Sequence, residues 1–238
     1  MLSLNTQPVE KSVHTEDGSL DIVSIFPTIQ GEGPFAGTPA IFIRLAGCNL
    51  QCPLCDTDYT VGDMGRVRKT PDQILELVDA AGMFSKINLI VLTGGEPLRQ
   101  NISPLVYQAS GMGYHVQVET NGTLHPIKGW AFGLDKLSIV CSPKTPKLNP
   151  DLLPHIHAYK YILSVDAVDP NDGLPTSALG MSTPPARPHP GFKGDVFVQP
   201  LDVQDEIKNE ANVQAAVHVC MKYGYRLSLQ MHKILGME

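Results

Sequence analysis

Short apolar segments rich in β-branched residues recur along the chain from residue 20 onward. Several are almost continuously apolar, which is typical of strands buried on both faces of a parallel sheet. The predicted strands are DIVSIF (21–26), AIFIRLA (40–46), NLIVLT (88–93), YHVQVET (114–120), KLSIVCS (136–142), YKYILS (159–164), DVFVQP (195–200) and YRLSLQ (225–230). Helical patterns lie between some of them, so the sequence predicts an α/β fold whose sheet is open or closed into a partial barrel.

The clearest helical pattern begins at TPDQILELVDAAG. Thr70 suits the N-cap, Pro71 suits the first helical position, and Gln73 completes a capping box. Gly82 is expected to end this helix. A second helix is predicted over 207–221, with an inward face made of Val213, Ala216, Val217 and Cys220.

Residues 166–193 interrupt the alternation of predicted strands and helices, because they contain six prolines and show no hydrophobic periodicity. A loop of this length in a compact domain is either functional or mobile, so it is either a peripheral insert or an active-site lid. We expect residues 1–19 to form a polar tail and residues 20–238 to form a single domain that carries this insert.

The composition argues against several classes of function. The net charge of −6 and the lack of a Lys/Arg cluster argue against nucleic acid as a partner. No apolar run is long enough for a membrane span, and the N-terminal residues lack the apolar core of an export signal. Five cysteines, with three of them clustered, do not resemble a disulfide framework, so we expect a cytoplasmic protein.

The clustered cysteines are Cys48, Cys52 and Cys55, spaced C-x3-C-x2-C in GCNLQCPLCDTDY. A structural zinc site would need a fourth ligand, from Cys141, Cys220 or a histidine, and the second paired knuckle of such sites is missing. Three thiolates also suit a 4Fe–4S cluster, in which one iron stays open to bind a small molecule.

A second motif, Thr93-Gly94-Gly95-Glu96-Pro97, directly follows an apolar strand. Its two glycines allow a tight turn and let the backbone approach a ligand closely. Together with the cysteine motif, this turn resembles the radical S-adenosylmethionine (SAM) enzymes. The resemblance implies a partial TIM-like barrel of mostly parallel strands with few helices. It also implies that the open iron binds the amino and carboxylate groups of SAM.

An ordered set of further segments is similar to the family of 7-carboxy-7-deazaguanine synthases, over about residues 20–238. The segments are Ile29-Gln30-Gly31-Glu32-Gly33, Ile43-Arg44, Cys55-Asp56-Thr57, Glu119-Thr120-Asn121-Gly122, Ser142-Pro143-Lys144, Gln199-Pro200 and Leu229-Gln230-Met231-His232-Lys233. This resemblance implies a lyase that contracts the ring of 6-carboxy-5,6,7,8-tetrahydropterin, with loss of ammonia, on the path to queuosine and related 7-deazapurines. The hydrogen would be taken from C6 of the substrate by a 5′-deoxyadenosyl radical derived from SAM.

The resemblance assigns substrate-binding roles that agree with the chemical groups of a pterin. A pterin presents an amide and amidine edge, which Gln30 and Glu32 can accept, and a carboxylate, which suits the guanidinium fork of Arg44. The family pattern adds Thr93 and His232 to the substrate site. It also makes the hydroxyl of Thr57 a ligand of Mg²⁺, which one hydroxyl can hold only when substrate oxygens and waters complete the coordination.

The same pattern implies a set of SAM-binding positions, which are Leu54, Asp56, Gly95, Glu96, Ser142, Lys144 and Gln199. The implied partners are the pterin substrate, an external flavodoxin-like electron donor and a second copy of the chain in a homodimer. Two alternatives remain open. A glycyl-radical-enzyme activase shares the cysteine motif and the GGEP turn, whereas a zinc-stabilised adaptor would have no catalytic activity.

Overall fold

The computed structural model describes residues 4–60, 65–82, 86–125 and 133–237. Its strands are β1 (Leu20–Ile29), β2 (Pro39–Leu45), β3 (Val67–Lys69), β4 (Leu89–Gly94), β5 (His115–Thr120), β6 (Leu137–Cys141), β7 (Ala158–Leu163), β8 (Asp195–Pro200) and β9 (Arg226–Leu227). They form one sheet in the order β3-β1-β2-β4-β5-β6-β7-β8-β9. Every neighbouring pair from β2 to β9 is parallel, whereas β1 is antiparallel to β2 and β3.

The sheet does not close, because β3 and β9 lie at its two edges and have no mutual pairing among the described residues. This arrangement confirms the predicted partial barrel with mostly parallel strands. Apolar side chains cover both faces of the central strands. In β2, Ile41 and Ile43 belong to the large core cluster, while Ala40 lies on the opposite face beside Val91 of β4. Burial on both faces explains why these strands have continuous rather than alternating apolar sequences.

The described part of the chain contains four α-helices, which are α1 (Pro71–Ala81), α2 (Ser103–Gly111), α3 (Glu206–Tyr223) and α4 (Met231–Ile234). The predicted capping box of α1 is confirmed: Thr70 Oγ1 accepts from the Gln73 backbone N–H, and the Gln73 side chain accepts from the Thr70 N–H. Every described helix is too short or too polar to cross a membrane.

Helix α3 confirms the second predicted helix and extends it slightly at both ends. Ala216 and Cys220 are buried as predicted, but Val213 and Val217 are only half-buried. Asn212 takes a buried position instead, because its amide donates to the Leu201 carbonyl (2.7 Å) and accepts from the Val165 N–H (2.8 Å). Both ends of this polar side chain are therefore satisfied inside the core.

Two elements of the structure differ from the prediction made from the sequence. Only Arg226–Leu227 of the segment 225–230 pairs as a strand. The residues that follow turn toward the loop after β1, where Ser228 Oγ accepts from the Gly33 N–H (3.0 Å). Helix α2 escaped prediction because its nine residues, SPLVYQASG, are too few to display a clear apolar face.

The division into tail, domain and insert stays a prediction, although both flanking segments have defined contacts. The segment predicted to be a polar tail forms β-bridges from Val9 to Cys48 and from Val13 to Gln100. In the insert, Arg187 pairs with Asp169 and Asp172. A buried leucine of the insert, Leu179, reaches the cavity described next.

Candidate active site

A cavity of about 380 Å³ is lined by residues at the carboxyl ends of the parallel strands and by the segment after β1. This is the edge of the sheet at which (β/α) barrels place their chemistry. All of the residues predicted for the site lie on its wall except Leu54 and Glu96. Leu54 belongs instead to an adjoining apolar cluster with Cys52, Leu179 and Leu201. Its backbone N–H donates to the Leu179 carbonyl (3.0 Å).

The cysteine loop (residues 47–59) follows directly from the end of β2. It begins at Gly47, where a side chain would collide with the guanidinium of Arg99 and where φ is +79°. Cys48 and Cys52 are buried, and Cys55 is half-buried. Burial raises the pKa of all three thiols, that of Cys48 to about 12. Metal ligation requires thiolates, so binding of a metal cluster here would be coupled to release of the thiol protons.

The donor set fits a cluster better than a single ion. Among the described residues, no group of three or more His, Cys, Asp or Glu side chains converges on one point where a single metal ion could be held. A 4Fe–4S cluster makes a different demand, because each thiolate binds a different iron and the sulfurs stay apart. The Leu50 backbone N–H lies 3.4 Å from Cys48 Sγ, a contact that suits a thiolate acceptor.

The turn after β4 packs backbone to backbone against the cysteine loop. Gly94 has φ of +108°, and a side chain at Gly95 would collide with the carbonyl of Gly47. The Glu96 N–H donates to that same carbonyl (3.0 Å), while the Gly95 N–H donates to the Leu45 carbonyl (3.0 Å). The two glycines therefore permit the close approach that places the turn beside the three thiols.

The Glu96 carboxylate is fully buried and is absent from the cavity wall. It accepts hydrogen bonds from Thr120 Oγ1 (2.6 Å) and from the backbone N–H groups of Asn121 (2.7 Å) and Leu98 (3.0 Å). Burial raises the pKa of Glu96, and these hydrogen bonds oppose that shift. In this structure Glu96 ties the end of β4 to the end of β5, and its predicted contact with SAM stays a prediction.

Asp56, which was also predicted to bind SAM, lies in the cysteine loop, and the other three residues lie at the ends of β6 and β8. Lys144 Nζ donates to the carbonyl (2.7 Å) and the hydroxyl (2.5 Å) of Ser142, and burial lowers the pKa of Lys144. Gln199 is only 4% exposed, and its Oε1 has no hydrogen-bond partner among the described residues. A buried acceptor on a cavity wall without a partner suits a ligand that supplies a donor, such as a ribose hydroxyl.

A buried charge cluster forms another part of the wall. Lys160 of β7 is paired with Glu32 and lies 3.6 Å from Glu119 of β5. Burial alone would lower the pKa of Lys160, but Glu119 and Glu32 raise it well above its ordinary value. Burial would likewise raise the pKa of Glu32, but Lys160 holds it below its usual range. Both side chains are therefore charged at neutral pH.

Neutral amides and a hydroxyl surround the Glu119 carboxylate. Gln30 Nε2 donates to Glu119 Oε1 (3.1 Å), and Gln117 Nε2 donates to the same atom (2.9 Å). Thr93 Oγ1 lies 3.4 Å from Glu119 Oε2. The predicted substrate residues Gln30, Glu32 and Thr93 are thus joined through Glu119 and Lys160.

The cationic part of the wall comes from β2 and from the C-terminal residues. The guanidinium of Arg44 lies 4.8 Å from the ring centroid of Phe26. His232, at the start of α4, has a pKa lowered mainly by burial and partly restored by Glu32. Lys233 donates to Asp56 (3.2 Å) and to Asp202 (3.0 Å), so α4 is attached to the cysteine loop.

Several wall residues were not assigned by the sequence. Glu119 and Gln230 belong to segments that carried the family resemblance, but neither received a role there. Gln230 Nε2 donates to Glu32 Oε1 (2.9 Å). Lys160 could have been found, because a lysine in the middle of the apolar strand AYKYIL needs a buried partner.

Three cysteines on one loop at the cavity wall, backed by a glycine turn in an open parallel barrel, define a radical SAM enzyme. The Radical SAM superfamily model matches residues 42–171. A 7-carboxy-7-deazaguanine synthase of Rhodospirillum rubrum is 43% identical and covers 91% of this chain and 92% of its own length. One from Rickettsia prowazekii is 41% identical and covers 96% of this chain and 94% of its own length. The chain therefore belongs to the 7-carboxy-7-deazaguanine synthase family.

A solved structure supports the fold independently. The crystal structure of QueE from Escherichia coli matches with a TM-score of 0.65 at 22% identity, and it covers 89% of this chain and 94% of that chain. Family membership brings a 4Fe–4S cluster and SAM as cofactors. It gives no support to the glycyl-radical-enzyme activase or to the zinc-stabilised adaptor.

Proposed function

We propose that this chain contracts the ring of 6-carboxy-5,6,7,8-tetrahydropterin to 7-carboxy-7-deazaguanine with loss of ammonia. The observation that carries the proposal is a single cavity whose wall combines the three thiols of the cysteine loop with the buried charge cluster of Glu32, Lys160 and Glu119. The first part suits a radical cofactor, and the second suits a polar heterocycle with several N–H donors.

Cys48, Cys52 and Cys55 would hold the cluster, and the wall formed by Gly95, Ser142 and Gln199 would hold SAM. Bound there, the cluster and SAM supply the radical chemistry that removes a hydrogen atom from the substrate. The protein contributes position and exclusion of water, because the reacting carbon must be held close to the cofactor in one orientation.

The charge cluster provides substrate recognition. Glu32 and Glu119 are carboxylates that accept hydrogen bonds, and a pterin edge offers amide and amino N–H groups as donors. Lys160 holds the pKa of Glu32 below its usual range and lies 3.6 Å from Glu119, without occupying all of the lone pairs of the two carboxylates. Arg44 would bind the substrate carboxylate as a two-pronged donor, and half-buried His232 would donate or accept at the same ligand.

Magnesium would bind at Thr57, a half-buried residue of the cavity wall whose Oγ1 lies 3.5 Å from Asp56 Oδ1. Its role would be to orient the substrate carboxylate, since Mg²⁺ prefers oxygen ligands and usually keeps several waters. We further propose that an external flavodoxin-like protein supplies the electron. The proposed location is the cytoplasm, where such a donor and free thiols are available. A homodimer is proposed by analogy with the family.

The test is anaerobic reconstitution with iron and sulfide, followed by incubation with a reductant, SAM, Mg²⁺ and the carboxytetrahydropterin. We expect a brown protein and formation of 7-carboxy-7-deazaguanine, detected by mass spectrometry. Cys52→Ala should lose both the colour and the product. Cys220→Ala is the matched control, because that cysteine lies on α3 and away from the cavity wall.

Other outcomes would contradict the proposal in distinct ways. A colourless protein that binds zinc would support the adaptor. A brown protein that cleaves SAM but leaves the pterin unchanged, while forming a glycyl radical on another protein, would support the activase. Removal of Mg²⁺ with a chelator should lower turnover without bleaching the cluster, and unchanged turnover would contradict the magnesium role.

A further inference from the structure

An N-terminal strap (residues 4–13) runs alongside the cysteine loop and holds the backbone of two cluster ligands. The Asn5 side chain donates to the carbonyl of Cys52 (3.1 Å), and the Glu10 N–H donates to the carbonyl of Cys48 (2.8 Å). The Asn5 N–H also donates to the Pro53 carbonyl (2.9 Å). Neither cluster binding by the thiols nor substrate binding in the cavity explains why the strap makes these contacts.

The strap makes its most specific contact through Gln7, a half-buried residue. Gln7 Nε2 donates to the carbonyl of Thr57 (2.9 Å), and Gln7 Oε1 accepts from the N–H of Tyr59 (2.8 Å). One side-chain amide therefore pairs with two backbone groups of the loop, as a neighbouring strand would. The carbonyl of Tyr59 in turn accepts from the Gly47 N–H (2.9 Å), so the contact reaches the start of the loop.

The third cluster ligand shares the acceptor that Gln7 binds. Cys55 Sγ lies 3.8 Å from the Thr57 carbonyl, to which a thiol can donate. The Gln7 amide donates to the same carbonyl at 2.9 Å. Gln7 therefore holds the peptide that lies next to the third ligand.

We propose that Gln7 is a positioning residue, which fixes the Thr57 peptide and thereby the third cysteine ligand and the Thr57 hydroxyl on the cavity wall. The part that concerns Thr57 rests on the function proposed above, because Thr57 matters there through Mg²⁺ and substrate. The part that concerns Cys55 rests only on the cluster of the superfamily. The two parts can therefore fail separately.

The test compares Gln7→Ala with Gln73→Ala. The control removes a glutamine side chain that also accepts from a backbone N–H, in the capping box of α1 and away from the cavity wall. Each variant is reconstituted, and its iron content, the electron paramagnetic resonance spectrum of the reduced cluster, and KM for the pterin and for SAM are measured.

We expect Gln7→Ala to change the spectrum of the reduced cluster and to raise KM for the pterin by about tenfold, which corresponds to about 1.4 kcal/mol. KM for SAM should change much less. Gln73→Ala should leave the spectrum and both KM values unchanged, even if it lowers the melting temperature. Gln7→Glu keeps the acceptor for Tyr59 but not the donor to Thr57, so it should behave as Gln7→Ala does and serves if that variant fails to fold.

A merely structural strap would give another pattern. Both Gln7 variants would then lower the melting temperature as Gln73→Ala does, while the spectrum and the ratio of KM for the pterin to KM for SAM would stay those of the unmodified protein. That result would show that the proposal is wrong. If the unmodified protein forms no deazaguanine, the proposed function fails, and the spectrum alone still decides whether Gln7 positions the cluster ligand.

Discussion

Lys160 is the residue whose replacement tests the site most directly. Only 7% of its side chain is exposed, and the exposed fractions of Glu32 and Glu119 are 12% and 16%. Its distance of 3.6 Å from Glu119 corresponds to an attraction of about 4 to 5 kcal/mol at an effective dielectric constant of about 20. Methionine has a similar length and no charge, so Lys160→Met removes the cation that contacts both carboxylates.

Breaking a buried ion pair by removal of one partner typically costs about 3 to 5 kcal/mol, because the remaining charge is left uncompensated. We therefore expect Lys160→Met to lower the free energy of unfolding by about 3 kcal/mol or more, measured by urea denaturation of the cluster-free protein at neutral pH. The exposed Lys136, which donates to the Gly113 carbonyl, provides a matched control in Lys136→Met. Its effect should stay within about 0.5 kcal/mol.

The double variant Glu32→Gln/Lys160→Met separates stability from recognition. Glu32→Gln removes one of the charges that Lys160→Met leaves uncompensated, so the double variant should be more stable than Lys160→Met alone, a coupling that a double-mutant cycle measures. Both the single and the double variant should have a raised KM for the pterin, because Lys160→Met removes the cation that contacts the two carboxylates and Glu32→Gln replaces one acceptor oxygen with an NH2 group. Our reasoning would be refuted if Lys160→Met unfolded at the urea concentration of the unmodified protein and kept its KM for the pterin.

Three further predictions concern single groups. The pKa of His115 is lowered by burial and by His157, so at this position the folded state binds fewer protons than the unfolded state. The free energy of unfolding should therefore fall as the pH drops through about 6.5. His115→Gln should reduce that fall, measured by urea titrations at several pH values. Thr70→Ala should cost about 1 kcal/mol of unfolding free energy by loss of the capping box. Glu96→Gln should cost about 1 to 3 kcal/mol, because its NH2 group replaces one carboxylate oxygen and would face a backbone donor, either the Asn121 N–H or the Leu98 N–H; an unchanged melting temperature would contradict this.

Features that depend on neighbours along the chain could be predicted without the fold. Apolar runs gave the positions of the strands, since burial on both faces requires continuous apolar residues. Thr70 and Gln73 fixed the start of α1, because both capping bonds join residues three positions apart. The spacing of Cys48, Cys52 and Cys55 pointed to a cluster, since the ligands lie on one short loop.

The groups that meet in the cavity come from distant parts of the chain, and the folded structure was needed to identify them. Lys160 and Glu32 are separated by 128 positions, and no periodicity in either segment encodes their pairing. The fully buried carboxylate of Glu96 depends on β5 lying beside β4, and the role of Gln7 depends on the strap lying beside the cysteine loop. Local sequence fixes backbone conformation and burial, whereas contacts between separate segments arise from the order of the strands in the sheet, which the packing of the whole chain selects.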